Sequence, residues 1–518
     1  MGLSQETLLF RRDMPSQHLF RDSTRCLKRY KIIYSIKKGI KRLSELEEVK
    51  RKLLSTEYED GKIVGIELIE EKDTEMMPGA SLGIVPAHWK VNMVCEPEEG
   101  SYIQIEIWFP IKGWNGDFCG TGNGGFAGAL VPFMMIMPLQ LGFAVANTDM
   151  GTSKGPDCGI GNKAVWKDFG YRATHLMTVN GKVATKALYG NLPEFSYFMG
   201  ASTGGQQGLM EAQRYPEDYD GILVNAPAHD RVNLHVGFVW EWIALNESED
   251  SRFTAEEAKR VVKIILDKYE NQNERRGDDA FLYRPDKTVI TREVFENSGF
   301  SEAQIDALMK VYKGAVNPVT GERIYPAITM PGSEDGSLPG RSDEYKFAFD
   351  FFYLLRWVLG SSFDFKSFDF DKDTTRLREE LSHYLDATET DLSRFREKGG
   401  KLMIIHGTAD PMIPYTSSVQ YYHAVDDKVG NTSSFFKLYL APGMGHMIGG
   451  PGVQDIIVGF PATPRDSKHL GILALKKWVE EGKEPNELLP VAFKDGNIGN
   501  AFAGNDYAFE RSMYPYVD

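Results

Sequence analysis

The chain has 518 residues, enough to bury a large core, and 42% of them are apolar. It carries 59 Lys and Arg against 73 Asp and Glu, a net charge of −14, which argues against nucleic acid as a general partner. No stretch approaches the ~18 consecutive apolar residues of a membrane-spanning helix. The length fits about two to four domains, or one catalytic domain with a large insertion.

Cysteine usage and the N-terminal sequence bear on the compartment. Only four cysteines occur, too few for a disulfide scaffold, and the first residues lack the basic-then-apolar order of a secretory signal. We therefore expect a cytoplasmic protein. Residues 1–50 are expected to form a basic extension, because eight Lys or Arg and no acid lie between Arg25 and Arg42. A solvated helix face is favoured over an arm that binds an anionic surface or nucleic acid.

After this extension the pattern indicates strands. Alternating apolar residues predict strands over Ile63 to Ile69 and Ile103 to Phe109, and Pro110 should end the second because it has no N–H to donate. A glycine-rich loop follows, residues 114–128, and three of its glycines form the pattern G-x-G-x-x-G: Gly120, Gly122 and Gly125.

This loop allows two interpretations. A dinucleotide site needs such a loop and an acid about 20 residues later, a place that Asp149 fills approximately. A hydrolase instead needs bare backbone N–H groups against the carbonyl oxygen of its substrate, and Gly124 or Gly125 would supply one of them. The hydrolase is favoured, because a bulky turn over residues 111–116 separates the loop from the preceding strand. The alternative is a dinucleotide- or ligand-binding protein on a related α/β fold.

Residues 200–204 read G-A-S-T-G, the G-x-S-x-G pattern of a nucleophile elbow. An aromatic strand precedes them and a helix over Gln206 to Tyr215 is predicted to follow. A tight strand-turn-helix would expose Ser202 beside the positive end of the helix dipole. The N–H of Thr203 would then complete the oxyanion hole.

The elements around this elbow alternate in type. A long helix is predicted over Asp168 to Tyr189, and its His175 is given no catalytic role, because a single helical histidine more often packs or hydrogen-bonds. A strand is predicted over Tyr219 to Ala226. Residues 227–389 then change character and are expected to form a mostly helical lid. Its aromatic clusters, 238–242 and 347–353, would line a pocket for a flat substrate or, more simply, pack the lid core.

Two further strands, Lys401 to Gly407 and Phe435 to Leu440, return the chain to the sheet. Asp410 follows the first and His446 the second. Serine, acid and histidine in this order, each after its own strand, are the arrangement of an α/β-hydrolase triad. The sequence therefore predicts an α/β-hydrolase sheet from residues 51–226 and 390–518, with Ser202, Asp410 and His446 as the catalytic residues.

With these motifs in place, the chain resembles the tannase and feruloyl esterase family. The matching segments lie in order between Trp114 and Gly452: WNGDFCGTGNGGFAG, DFGYRATH, GASTGGQQGLMEAQRYPEDYDGILVNAPA, FSEAQIDALMKVYKGAVNPVTGERIYP, GGKLMIIHGTADPMIP and APGMGHMIGGPG. The resemblance implies a lidded serine esterase that takes small aromatic esters, such as those of gallate or ferulate, without a cofactor.

The chain departs from this family at several positions. Members usually carry bridged cysteines just before the serine and just after the histidine, where this chain has Ala201 and Met447. Where members have cysteines near the start and end of the domain, this chain has His88-Trp89 and Tyr514. The Asp-rich calcium loop of the family lid is not reproduced over residues 265–273, so no metal is expected. Apolar contact between Ala201 and Met447 is expected to replace the bridge.

Overall fold

The computed structural model describes residues 42–78, 80–269, 279–502 and 507–517. The chain divides into two compact units, residues 1–56 and 57–518. In the first unit, residues 42–54 form a helix, α1. Most of the predicted basic extension, residues 1–41, lies outside the described residues.

The second unit is built on one nine-stranded sheet. The strands of this sheet are β1 (Gly61–Ile69), β4 (His88–Cys95), β5 (Ile103–Pro110), β6 (Phe118–Thr121), β7 (Ala144–Thr148), β8 (Ser196–Ala201), β9 (Gly221–Asn225), β12 (Lys401–Gly407) and β13 (Phe436–Ala441). Three pairs lie outside it: β2 (Lys72–Met77) with β3 (Ala80–Val85), β10 (Ala315–Val316) with β11 (Arg323–Tyr325), and β14 (Val491–Ala492) with β15 (Phe509–Glu510).

The order of the strands is β1-β4-β5-β7-β6-β8-β9-β12-β13. The first four pair antiparallel, and the six from β7 to β13 are parallel. Strands β7, β8 and β9 are buried along their whole length, because helices cover both faces of the parallel part. The parallel strands end at one edge of the sheet, where ligand sites form in such folds.

Helices connect and cover the strands. They are α2 (Pro132–Gln140), α3 (Lys163–Lys167), α4 (Ala173–Tyr189), α5 (Thr203–Arg214), α6 (Arg231–Leu245), α7 (Ala255–Lys268), α8 (Glu302–Lys313), α9 (Leu338–Arg341), α10 (Lys346–Phe351), α11 (Tyr353–Leu359), α12 (Lys372–Leu377), α13 (His383–Leu385), α14 (Ser393–Glu397), α15 (Tyr415–Val429) and α16 (Gly471–Glu481). Among the described residues, no helix is both long and apolar enough to cross a membrane.

The predicted strands and helices agree with the structure to within a few residues. Strand β5 ends at Pro110 as expected. The helix predicted over Asp168 to Tyr189 is present, but its first turn, Asp168–Arg172, is a π-turn that continues directly into α4. The helix after the elbow begins at Thr203 rather than Gln206, because Gly204 and Gly205, which by themselves favour other conformations, are held in place by close tertiary contacts.

The segment between β9 and β12 is mostly helical and has its own apolar core. Helices α6 and α8 pack together there, α7 contributes to the same core, and the buried side chains include Leu245, Phe253, Ile265, Leu308 and Leu338. A long insertion with a separate core can cover the sheet edge without disturbing the strands. The lid limits, residues 227–389, stay a prediction.

Candidate active site

Ser202 stands at the turn between β8 and α5, in a strained backbone conformation. Its φ is 79° and its ψ is −105°, in the region that side-chain-bearing residues avoid. The turn closes through the Ser202 N–H, which donates to Asn225 O at 3.0 Å. A Cβ on Gly200 would lie 2.6 Å from the Gly204 oxygen, so glycine is required there. This is the predicted nucleophile elbow.

The glycine-rich loop after β6 lies against this elbow. A Cβ on Gly122 would come within 2.4 Å of Gly204 Cα, so the two backbones meet without side chains between them. Asn123 joins the segments in both directions: its N–H donates to Gln207 Oε1 at 2.8 Å, and its carbonyl accepts from the Gly204 N–H at 2.8 Å. Close packing on the elbow therefore explains glycines that also fit a dinucleotide fingerprint.

Asp149, the acid of that alternative interpretation, has a structural role. Its side chain is fully buried and accepts hydrogen bonds from the backbone N–H groups of Gln104 and Gly151 at 2.9 and 2.8 Å. These contacts hold the end of β7 against β5. A carboxylate committed to the protein interior in this way is not available to a ribose.

Arg231, the first residue of α6, ties the glycine-rich loop to the elbow. One guanidinium nitrogen donates to Thr203 Oγ1 and the other to Gly125 O, both at 2.9 Å, and Thr203 Oγ1 itself donates to Gly125 O at 2.7 Å. Arg231 also contacts the Tyr353 hydroxyl of α11 and lies over the Phe169 ring at 5.2 Å. It is 3% exposed, and no carboxylate among the described residues pairs with it. We call Arg231, Thr203 and Gly125 the oxyanion clamp.

Sequence reasoning missed Arg231. The only local signal for Arg231 is a charged residue shortly after an apolar stretch, and such a residue is common at the start of any helix. Its role depends on the lid helix meeting the elbow, a contact that no local pattern predicts.

Asp410 and His446, which follow β12 and β13, form a hydrogen-bonded pair in which the Asp410 side chain is buried and that of His446 is 23% exposed. His446 Nδ1 donates to Asp410 Oδ2 at 2.8 Å. The other carboxylate oxygen accepts from the N–H groups of Met412 and Ile413 at 2.8 and 3.0 Å. His406 Nε2 lies 3.4 Å from Asp410 Oδ2. The Asp410 carboxylate is therefore held by His446, by the backbone N–H groups of residues 412–413 and by His406.

These contacts set the charge of the pair. Burial by itself would raise the pKa of Asp410, but the charge of His446 and the hydrogen bonds from His446 and His406 outweigh it, and the pKa lies well below its usual value. For His446, burial lowers the pKa and Asp410 raises it, with a net rise. Asp410 stays ionised, orients the imidazole and stabilises its charged form.

Ser202 and His446 meet at a cavity of about 300 Å³. Both line it, together with Gly124, Gly125 and Thr203, so five of the six residues predicted for catalysis and oxyanion binding share one surface, and Asp410 lies behind His446. The structure records no hydrogen bond between His446 and Ser202 among the described residues. Such contacts often tighten only when substrate binds.

Residues of the segment predicted to form a lid make the other wall of this cavity. They are Arg231, Leu234, His235, Phe238, Asp350, Phe351 and Tyr353. The aromatic side chains of this segment are predicted either to line a substrate pocket or to pack the lid core, and both are found. Phe238, Phe351 and Tyr353 line the cavity. The indole N–H groups of Trp240 and Trp242 instead donate to backbone carbonyl groups of the same segment. His235 Nδ1 lies 2.6 Å from Phe351 O, and burial together with the charge of Arg231 lowers its pKa well below the usual value.

Ala201 and Met447 replace the cysteines of the family pattern. Ala201 is buried at the end of β8, and Met447 lines the cavity with a φ of 68°. Their expected apolar contact stays a prediction. The three cysteines in the described part of the chain, Cys95, Cys119 and Cys158, are free thiols.

The stretch compared with a calcium loop is only partly described. Helix α7 runs to Lys268, and residues 270–273 lie outside the described residues. His175, which was given no catalytic role, pairs with Asp218 through Nδ1 and Oδ2 at 2.6 Å. With Glu211 they form the one cluster of possible metal ligands in the described part of the chain. A direct hydrogen bond of that length leaves a proton, not a metal, between the two groups.

Comparison with known proteins identifies the family of the chain. The family model described as tannase and feruloyl esterase matches residues 89–501. An uncharacterised esterase of Xanthomonas campestris pv. campestris is 31% identical over 460 residues, which cover 80% of this chain and 79% of that protein. Feruloyl esterase B of Aspergillus niger is 28% identical over 455 residues, 82% of each chain.

Solved structures show the same fold. Feruloyl esterase B from Aspergillus oryzae superimposes with a TM-score of 0.80 at 24% identity, covering 91% of this chain and 95% of that one. Tannin acyl hydrolase from Aspergillus niger gives a TM-score of 0.69 at 19% identity, covering 91% and 92%. The predicted α/β-hydrolase fold is confirmed.

Proposed function

The chain belongs to the tannase and feruloyl esterase family and is a carboxylic ester hydrolase, and we propose that it cleaves esters of hydroxyaromatic acids with Ser202 as nucleophile. The observation that supports this most is the convergence of Ser202, the Asp410–His446 pair and the glycine-rich loop on one lidded cavity. A strained serine and a carboxylate-held imidazole that line the same cavity are the groups that nucleophilic ester hydrolysis requires.

In acylation Ser202 is the nucleophile and His446 transfers the proton. The Ser202 hydroxyl oxygen attacks the ester carbonyl carbon while His446 Nε2 takes its proton. The carbonyl oxygen becomes an oxyanion, held by the N–H groups of Thr203 and of Gly124 or Gly125, each worth about 10²–10³ in rate. His446 then gives the proton to the leaving alcohol oxygen, the C–O bond breaks, and an acyl-enzyme remains. Asp410 keeps Nδ1 protonated throughout, so that Nε2 is free to act.

Deacylation repeats these steps with water. His446 takes a proton from a water molecule as it attacks the acyl carbon, and the second tetrahedral intermediate collapses to release the acid and return the proton to Ser202. The oxyanion clamp serves both halves of the reaction, because the charge develops at the same place each time.

The cavity supports an aromatic acyl group. Phe238, Phe351 and Tyr353 present ring surfaces within it, and rings pack on rings at a modest further gain of about 0.5–1.5 kcal/mol. Relatives named feruloyl esterase B and tannin acyl hydrolase point to the same class of substrate.

The test compares Ser202→Ala with the wild-type chain on methyl ferulate, methyl gallate, methyl benzoate and ethyl butyrate. Turnover should be lost with all four in the variant, and the wild type should prefer the hydroxyaromatic esters by kcat/KM. A fluorophosphonate should label the wild type at Ser202 and leave the variant unlabelled. Retained turnover in Ser202→Ala would overturn the mechanism, and preference for ethyl butyrate would overturn the substrate class alone.

We also propose that the protein works in the cytoplasm. The free thiols of Cys95, Cys119 and Cys158 and the absence of cysteine at positions 201 and 447 support a site that does not depend on oxidation. Fractionation of the source cells, with the chain detected by antibody, tests the location. Recovery in the secreted fraction would contradict it.

A further inference from the structure

A second cavity lies on the outer part of the sheet. Its volume is about 390 Å³, and its walls come from the β2–β3 hairpin, the neighbouring strands β4 and β5 and the first turns of α2. None of its lining residues lines the catalytic cavity. Most of its surface is apolar and includes Leu82, Trp108, Phe133 and Ile136.

Two buried polar atoms of this wall have no hydrogen-bond partner within the described part of the chain. They are His88 Nε2 and Thr74 Oγ1. His88 is 2% exposed, and its other ring nitrogen, Nδ1, lies 2.8 Å from Pro86 O. A carbonyl oxygen only accepts, so Nδ1 carries the proton. Burial lowers the pKa of His88, so the ring is neutral and Nε2 offers a lone pair.

An unpartnered buried acceptor is costly, about 1–3 kcal/mol, and such groups are rare in folded proteins. The charged groups nearby do not relieve it. Lys90 pairs with Glu106 at 3.1 Å, and Glu106 also accepts from Trp108 Nε1 at 2.7 Å. The cavity therefore lacks a hydrogen-bond donor at His88, and its remaining charged lining residues, Lys72 and Glu75, lie on the exposed strand β2.

The shape of the wall favours a flat molecule. The His88 and Trp108 rings pack together at a tilt, with centroids 4.6 Å apart and planes at 33°, and Phe133 and aliphatic side chains complete the apolar part of the pocket. A flat apolar body packs against such a surface, and a hydroxyl group supplies both a donor for Nε2 and an acceptor for Thr74.

We propose that this cavity is a second binding site, for a small neutral phenol whose hydroxyl donates to His88 Nε2. The ring lies among Leu82, Trp108, Phe133 and Ile136, and the hydroxyl accepts from Thr74. The site is independent of the chemistry at Ser202, because no residue is shared between the two cavities.

The test uses 4-fluorophenol and 4-fluoroanisole, which differ in the hydroxyl donor, and follows binding to the full chain by ¹⁹F NMR. We expect 4-fluorophenol to bind at least about 10-fold more tightly than 4-fluoroanisole, a difference of about 1.4 kcal/mol. His88→Phe keeps a ring beside Trp108 but removes the acceptor. It should weaken 4-fluorophenol to the level of 4-fluoroanisole.

Two further variants locate the site. Ile136→Trp fills the second cavity and should abolish binding of both probes. Leu234→Trp narrows the catalytic cavity and should leave binding of 4-fluorophenol at the second cavity unchanged. His88→Phe should keep its melting temperature within a few degrees, because it keeps the ring beside Trp108 and loses one hydrogen bond, worth about 0.5–1.5 kcal/mol. Its esterase activity should stay within about two-fold, because His88 does not line the catalytic cavity. Failure of the proposed esterase function would leave these binding results unchanged.

Three results would overturn the proposal. They are equal affinity for the two probes in the wild type, 4-fluorophenol binding that persists in both His88→Phe and Ile136→Trp, and no saturable binding up to about 10 mM. The last result would assign the cavity to water.

Discussion

Replacing Arg231 by methionine tests whether the oxyanion clamp sets the catalytic rate. Arg231 makes two charge-assisted hydrogen bonds of 2.9 Å, to Thr203 Oγ1 and Gly125 O. Bonds of this type contribute about 1.5–3 kcal/mol each. The Thr203 hydroxyl still holds Gly125 O at 2.7 Å in the variant, so one tie of three remains. We expect the loop to stay near the elbow but to lose the precise placement of one oxyanion donor.

One lost donor corresponds to about 10²–10³ in kcat, or about 2.7–4 kcal/mol. We therefore expect Arg231→Met to lower kcat on methyl ferulate about 10²-fold while KM changes by less than about three-fold, because the donors act on the charge of the transition state. Steady-state kinetics and single-turnover acylation measure both quantities. Arg231→Lys keeps the charge but not the planar fork, and should recover part of the loss.

Arg252→Met is the matched control. Arg252 is a lid arginine that contacts Asn246 and Glu344, none of which lines the catalytic cavity. It should lower the melting temperature without a comparable fall in kcat. A KM that rises more than about 10-fold in Arg231→Met with kcat unchanged would refute the reasoning, because Arg231 would then act on bound substrate rather than on the loop.

Three other predictions follow from the site. Asp410→Asn should lower kcat about 10⁴-fold. His446 must be neutral to act, and Asp410 raises its pKa, so wild-type kcat/KM should fall as the pH drops through a value above the ordinary histidine pKa of about 6.5. In Asp410→Asn the remaining activity should fall at a lower pH than in the wild type. Profiles of kcat/KM against pH check both expectations. Gly122→Ala places a Cβ 2.4 Å from Gly204 Cα and should cost about 1–3 kcal/mol in denaturant-measured stability together with most of the activity. Gly340→Ala, in α9, adds a Cβ where no other atom lies within 4 Å and should retain far more activity. Millimolar dithiothreitol or EDTA should leave ester hydrolysis unchanged, and a clear loss with the first would indicate a disulfide involving Cys119 or Cys158.

The residues proposed for catalysis could be chosen from the sequence because the placement of each depends on a short local rule. A strand followed by a glycine-flanked serine can make only a tight turn, and the φ of 79° at Ser202 is the result. Asp410 and His446 each follow a buried strand, and parallel strands end at one edge of a sheet, so their meeting needed only the strand order. Pro110 ends β5 for a local reason too, because it has no N–H to donate to a neighbouring strand.

Other features depended on segments far apart in the chain. Arg231 reaches Gly125 only because the lid helix packs on the elbow, and the glycines of residues 120–125 fit two different sites until Gly122 is seen against Gly204. The division of the lid aromatics between cavity and core, and the open acceptor of His88, likewise follow from packing. Sequence patterns report backbone conformation and the buried face of an element. Which side chains then meet across elements is decided by close packing of the whole chain, where one misplaced backbone removes the contact.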